Sequence, residues 1–331
     1  MKGKKAIAMA ATAAALLLAV QLNGGGLSDY ISAAKRGTAA VSEIAFKPAE
    51  EDPALLQRIE AEAAKRRTPP VNAIVDRVWK AIPGYNGLEV DIERTYRLNL
   101  GKPASEPIRF IYKEVPPQVG LDDLGPQPIF KGNPHKPMVA LMINVAWGNE
   151  YLEPMLKTLQ KENVKATFFL DGSWLKKNPD AAKLIQSYGH EISNHAYSHP
   201  DMSKLSRQAA YDQIAKTEAL LKTTLGVTNQ WFAPPSGDFN DTTVQVAAEQ
   251  GLGTVLWTLD TVDWRHPPAS SIVQKIKSRV APGSLILMHP TDSSSAALAG
   301  MIEAIKGKGL ALGTVSETLS ENRAGSVEGT P

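Results

Sequence analysis

Short apolar runs alternate with helical segments from Met138 onward, and this alternation predicts an α/β fold whose parallel sheet is closed, or nearly closed, into a barrel. Polar and titratable residues recur just after the apolar runs. Asn144, Asp171, His195, Asp260 to Trp264 and His289 all fall there, where the carboxyl ends of parallel strands gather a site. The 331 residues, 43% hydrophobic and 21% charged, are enough for one large domain and a smaller one around buried cores.

The elements follow in order. Met1-Lys2-Gly3-Lys4-Lys5 and the apolar run 6–20 make residues 1–23 a signal peptide or membrane anchor. No clean small-x-small cleavage site follows, and the run is short for a full span, so both forms stay open. Either places the body outside the cytoplasm, secreted or anchored in the cell membrane, with the membrane a partner through this segment. Residues 24–70 read as a tether carrying a helix over 54–67, which Pro69-Pro70 stops. A small α+β module spans 71–116. Its apolar spacing (Val71, Ile74, Val75, Val78, Trp79, Ile82) predicts a helix over 71–82, and alternation predicts strands over 88–98 and 108–115. The Pro- and Gly-rich stretch 117–137 reads as a linker.

The barrel is expected over 138–320. Strands are predicted at 138–145, 165–170, 191–193, 231–232, 254–259 and 284–288. Helices are predicted at 151–162, 178–188, 206–225, 241–250, 270–280 and 296–308, with a disordered tail at 321–331. A formal charge of +2 with no basic block excludes a nucleic-acid partner. The absence of cysteine excludes thiolate metal sites and a cysteine nucleophile, and it fits an exported bacterial protein without disulfides.

The chemistry concentrates in Gly189 to Pro200, where His195 and His199 stand four residues apart, a spacing that lets two imidazoles converge on one metal ion. Three further stretches accompany it: 164–170 (Val-Lys-Ala-Thr-Phe-Phe-Leu), 257–264 (Trp-Thr-Leu-Asp-Thr-Val-Asp-Trp) and 283–289 (Gly-Ser-Leu-Ile-Leu-Met-His). With these four motifs the sequence resembles the polysaccharide deacetylase (NodB-homology) family over roughly 136–319, and it looks most like the sporulation-associated members of bacilli. The resemblance implies a distorted (β/α) barrel that removes acetyl groups from N-acetyl sugars in a cell-wall polymer. It also implies a divalent metal, zinc foremost, held by one Asp and two His. A second Asp would serve as base on the metal-bound water, and a distal His as acid.

Carried over by position, His195 and His199 match the metal histidines and His289 the acid. Asp263 and Trp264 match the pair that orients it. The family's T-F-D-D-G stretch is Met142-Ile143-Asn144-Val145-Ala146 here, so the base position holds Asn144, an amide that takes no proton. The metal carboxylate is replaced by Val145. R-P-P-Y-G becomes Ala233-Pro234-Pro235-Ser236-Gly237, without the Arg that braces the base. Base and brace are gone together, while acid and support remain together. Asp171, at the end of its strand, is the preferred substitute carboxylate; Glu150 and Asp238 lie in nearby loops, and Asp260 precedes the retained pair. The resemblance places Pro234, Pro235 and Leu287 along the substrate groove, and Trp147 and Tyr197 are aromatic candidates for stacking on a sugar face. Histidines 135, 190 and 266 are assigned to structure or surface.

Three functions follow. The first is a deacetylase-like protein acting on an N-acetylated cell-wall or spore-envelope glycan, with a displaced base if it hydrolyses the amide. The second is a catalytically relaxed barrel that binds glycan or serves assembly. The third is a metal amidase of non-carbohydrate substrates. The missing carboxylates favour the second; the retained histidine pair and acid half favour the first.

Overall fold

The computed structural model describes residues 52–325, of which 54–325 belong to one compact unit. The signal or anchor expectation at 1–23 lies outside the described residues. Among those described, no helix is long and apolar enough to cross a membrane.

Helix α1 (Pro53–Lys65) buries Leu55 and Ile59, one turn apart, against Val90, Phe110 and Tyr112. The residues expected in a tether are therefore docked from 54 onward. The helix expected over 71–82 is instead a hairpin of β1 (Ile74–Asp76) and β2 (Lys80–Ile82), paired antiparallel. Asp76 decides this: its Oδ1 accepts from Val78 N and Trp79 N, each at 2.7 Å, which makes a turn, and Lys80 takes φ 57°. The β-branched residues of that stretch favour the strand once the turn is made. The strand expected over 88–98 ends early for a similar reason. Strand β3 (Gly87–Val90) stops at Asp91, whose carboxylate caps α2 (Ile92–Asn99) by accepting from Arg94 N at 3.0 Å. Strand β4 (Tyr112–Val115) returns beside β3.

The stretch expected to be a linker is a packed strap. Ile129 is buried and bridges the hairpin to the barrel, donating to Thr254 O at 2.9 Å and accepting from Leu256 N at 2.8 Å. Buried Lys136 sends its ammonium to Ser320 O (2.9 Å), Ser320 Oγ (3.1 Å) and Glu317 O.

The barrel then alternates strand and helix. It runs β5 (Met138–Val145), α3 (Asn149–Lys161), β6 (Thr167–Leu170), α4 (Gly172–Lys177), α5 (Pro179–Ser187) and β7 (Glu191–Asn194). It continues through α6 (Arg207–Leu225), β8 (Trp231–Phe232), α7 (Asp241–Glu249), β9 (Gly253–Thr254), β10 (Leu259–Asp260) and α8 (Ala269–Arg279). Strand β11 (Leu285–Met288), α9 (Asp292–Lys306), β12 (Ala311–Gly313) and α10 (Val315–Leu319) complete it.

All barrel pairings are parallel, in the order β10-β11-β5-β6-β7-β8-β9, with β12 also on β5. The single strand expected over 254–259 is split because the strap fills the gap: Leu256 N donates to Ile129 O, and Thr258 Oγ1 to Phe130 O. Alternate residues of β5 separate two core layers. Val139, Leu141, Ile143 and Val145 face the helix-covered layer with Leu156, Leu170 and Trp174. Ala140 and Met142 face the barrel interior with Phe169, Ala233 and Leu285. The expected tail is docked through residue 324: Arg323 Nη1 donates to Asn86 O at 3.0 Å, its guanidinium lies 4.9 Å from the Tyr85 ring centroid, and Ala324 is buried.

Candidate active site

The carboxyl ends of β5, β7 and β11 place Asn144, His195 and His289 on one end of the barrel. His289 follows β11 and is held from below. Its Nδ1 lies 2.8 Å from Asp263 Oδ1, and its backbone N–H donates to Asp263 Oδ2 at 2.5 Å. Ser294 Oγ donates to the same oxygen. Asp263 is fully buried. Burial works against its charge, yet the hydrogen bonds from His289 and Ser294 hold its carboxyl below the usual range. A carboxylate there fixes the proton on Nδ1 and leaves Nε2 as the free ring nitrogen. The structure thus brings together Asp263 and His289, which the resemblance pairs.

Trp147 lies over this histidine. Its indole stacks on the His289 ring with centroids 5.3 Å apart and planes 15° from parallel, and it stays 45% exposed. The loop that carries it is pinned: Gly148 takes φ 81°, and a Cβ there would sit 1.9 Å from Pro290 O. Trp264, beside Asp263, is 48% exposed with the Arg265 guanidinium 4.6 Å from its ring centroid.

The other half is different. His195 is buried, and its Nδ1 meets Ala233 O at 2.7 Å. A carbonyl only accepts, so Nδ1 carries the proton and Nε2 keeps its lone pair. Burial, with the neighbouring His199 adding to it, pushes His195 down to about 3 and keeps it neutral. His199 is exposed, with its ring centroid 5.3 Å from that of His195 and φ at 57°.

No third donor joins them. Among the described residues, no group of three His, Cys, Asp or Glu side chains has metal-holding geometry. Val145, where the resemblance expects the metal carboxylate, is wholly buried in the helix-facing layer. Asn144 is buried with its Oδ1 unpaired, a neutral acceptor in place of a base.

Asp171, the substitute carboxylate expected from the sequence, is engaged through one oxygen, while its Oδ2 is buried without a hydrogen-bond partner. Its Oδ1 caps α4, accepting from Trp174 N at 2.9 Å and Ser173 Oγ at 2.6 Å, and it forms no metal-holding group with the two histidines. The other carboxylates are committed or remote. Asp238 accepts from Ser203 N and Oγ, Asp260 accepts from Val262 N, and Glu150 is exposed in the first turn of α3. Two imidazoles are fewer than the three or four protein ligands of a resident zinc site, so the residues present do not fit one.

The remaining expected groove residues divide. Leu287 is buried on β11, next to Met142 of β5. Pro234 and Pro235 are buried at the turn after β8. Tyr197 is engaged elsewhere, its ring against Gly172 and 5.9 Å from the Lys216 ammonium of α6. Sequence reasoning missed the contact of Trp147 with His289. The Ala146-Trp147-Gly148 turn after an apolar strand was its one local signal.

The chain matches the sequence model of the family described as Polysaccharide deacetylase over residues 131–255. It is 48% identical over 295 residues to the protein YlxY of Bacillus subtilis, covering 89% of this chain and 90% of that one. A peptidoglycan-N-acetylglucosamine deacetylase of Bacillus cereus is 36% identical over 176 residues, which are 53% of this chain and 63% of the enzyme's length. The crystal structure of BA3943, a CE4 family pseudoenzyme from Bacillus anthracis, superposes with a TM-score of 0.76 at 43% identity, covering 82% of this chain and 96% of that one. A mutant of BA3943 with restored enzymatic activity is similar to this chain to the same degree in fold. Fold, motif positions and these relatives agree: the chain belongs to the polysaccharide deacetylase (NodB-homology, CE4) family.

Proposed function

We propose that this protein binds an N-acetylated cell-wall or spore-envelope glycan at the carboxyl end of its barrel and does not hydrolyse it. The observation that carries this is the coupled loss at Asn144 and Val145: a neutral buried amide where a base would act, and a core valine where a metal carboxylate would stand. Amide hydrolysis needs a water deprotonated at the carbonyl, and the position of the base holds Asn144, an amide that takes no proton. The retained dyad fits a binding role. Asp263 holds His289 as an oriented hydrogen-bonding ring, and Trp147 and Trp264 give half-exposed indole faces of the kind that stack on sugar rings. The cell-wall deacetylases among the relatives support a wall glycan as the ligand and action outside the cytoplasm. The apolar run at 6–20 supports membrane attachment, and the likeness to sporulation-associated members supports the spore envelope.

The test is titration of the full chain with N-acetylglucosamine oligomers while acetate is followed. Saturable binding without acetate release, weakened at least about tenfold in Trp147→Ala, is expected. Acetate release that disappears in His289→Ala would overturn the reading.

A further inference from the structure

We infer that the barrel carries a second saccharide site at the opposite end, in a cavity formed where the strap crosses the starts of β8 and β9. The cavity is about 530 Å³, within the roughly 300–1,000 Å³ typical of small-molecule sites. It includes Trp231 and Gly253, the first residues of β8 and β9, whereas His195, Asn144 and His289 stand at the carboxyl ends of their strands. This site therefore shares no lining residue with the one at His289.

The lining chemistry selects the ligand. Ile129, Val244 and Leu252 make an apolar wall, and Trp231 adds a half-buried indole. That ring is held on two sides. Its Nε1 donates to Ser316 Oγ at 2.7 Å, and Gly253 leaves it room, since a Cβ there would lie 2.6 Å from Cζ3. Around this wall stand the Gln127 and Gln230 amides and the Asp122 carboxylate. At the inner end Thr254 keeps a buried hydroxyl with no hydrogen-bond partner in the protein.

Among the described residues, no lysine, arginine or histidine lines the cavity, so none of them neutralises an anion there. Two amides and a carboxylate offer both donors and acceptors to a neutral polyhydroxy ligand, and the indole with its aliphatic neighbours offers a flat apolar surface. A sugar ring has that pair of faces, so the class assigned is an uncharged oligosaccharide. The inference does not rest on the proposed function, because its observations lie at the other end of the barrel.

The experiment is calorimetric titration of the full chain with tetra-N-acetylchitotetraose. The probes of this cavity are Gln127→Ala/Gln230→Ala and Gly253→Ala, which displaces the indole, and Trp147→Ala probes the other site. Two binding events per chain are expected in the parent. One should weaken at least tenfold in the double glutamine variant and in Gly253→Ala while persisting in Trp147→Ala. The glutamine variant alters side chains at the margin, so it stays informative if Gly253→Ala misfolds. A single event that vanishes in Trp147→Ala and ignores the glutamines would overturn this inference and leave the proposed function standing. A single event lost only in the glutamine variant would do the reverse. No binding by the parent would overturn both.

Discussion

His190 packs its imidazole 5.1 Å from the Phe168 ring, accepts from Ala166 N at 3.3 Å through Nδ1, and leaves Nε2 buried without a partner. Burial, with Lys165 nearby, pushes it from 6.5 down to about 4. The folded protein therefore resists a proton that the unfolded chain takes up. Stability is full above about pH 6.5 and falls as pH drops toward 4, by at most about 1.4 kcal/mol per pH unit for this group. His195, pushed to about 3, acts with the same sign. His190→Gln keeps an acceptor for Ala166 and cannot titrate, so thermal melts between pH 6.5 and 4 should show a shallower decline than the parent. An unchanged slope would contradict the assignment. At Asn144 and Val145 the expectation concerns metal. Asn144→Asp/Val145→Asp adds a charge to a packed layer and should cost ~2–4 kcal/mol in the metal-free state. Zinc should then raise the melting temperature of the double variant and leave the parent unmoved, since only the variant offers a third ligand. The histidines, Asp263 and Asn144 were legible in the sequence because motifs fix them to strand ends. The role of Asp171 was not, because a helix-capping aspartate and a ligating one both follow an apolar strand. Only the backbone N–H of Trp174 distinguishes them.

Among the elements, the long barrel strands and helices were readable from periodicity and the two-residue strand at 231–232 was also placed, but other short ones were not. Strand β12 has three residues and α10 five, too few to show a period. The β1–β2 hairpin was hidden for the opposite reason: its apolar residues also fit a helical spacing, and one Asp side chain turns the chain before a helix can form. Helix α10 illustrates how a short element is kept. Thr314 and Glu317 form a capping box at its start, and buried Lys136 serves the carbonyls at its end. Lys136→Met would fill the space and leave the carbonyls of Glu317 and Ser320 without this donor, a loss of about 2–4 kcal/mol by denaturant unfolding. A change within experimental error would show that the ammonium only fills volume.

At the scale of the whole molecule, the strap, the small strands and the barrel form one packed unit, which composition could not reveal. Pro and Gly mark a linker and a packed strap alike, and only the backbone bonds of Ile129 show which this is. Strand β5 is the centre of that unit. Residues Val139 to Ile143 are wholly buried, and β5 pairs with β6, β11 and β12. Its amides should exchange slowest in hydrogen exchange, together with those of Ala311 to Gly313, and slower exchange in β1 and β2 would refute that order. The pairing of Met138 with Ala311 also has a consequence for synthesis. The first barrel strand leaves the ribosome long before β11 and β12 are made, so one apolar edge of β5 stays open in the nascent half-sheet until they emerge. A stop codon shortly before Leu285 would remove both β11 and β12 and leave that apolar edge of β5 unpaired in the truncated product, an aggregation hazard.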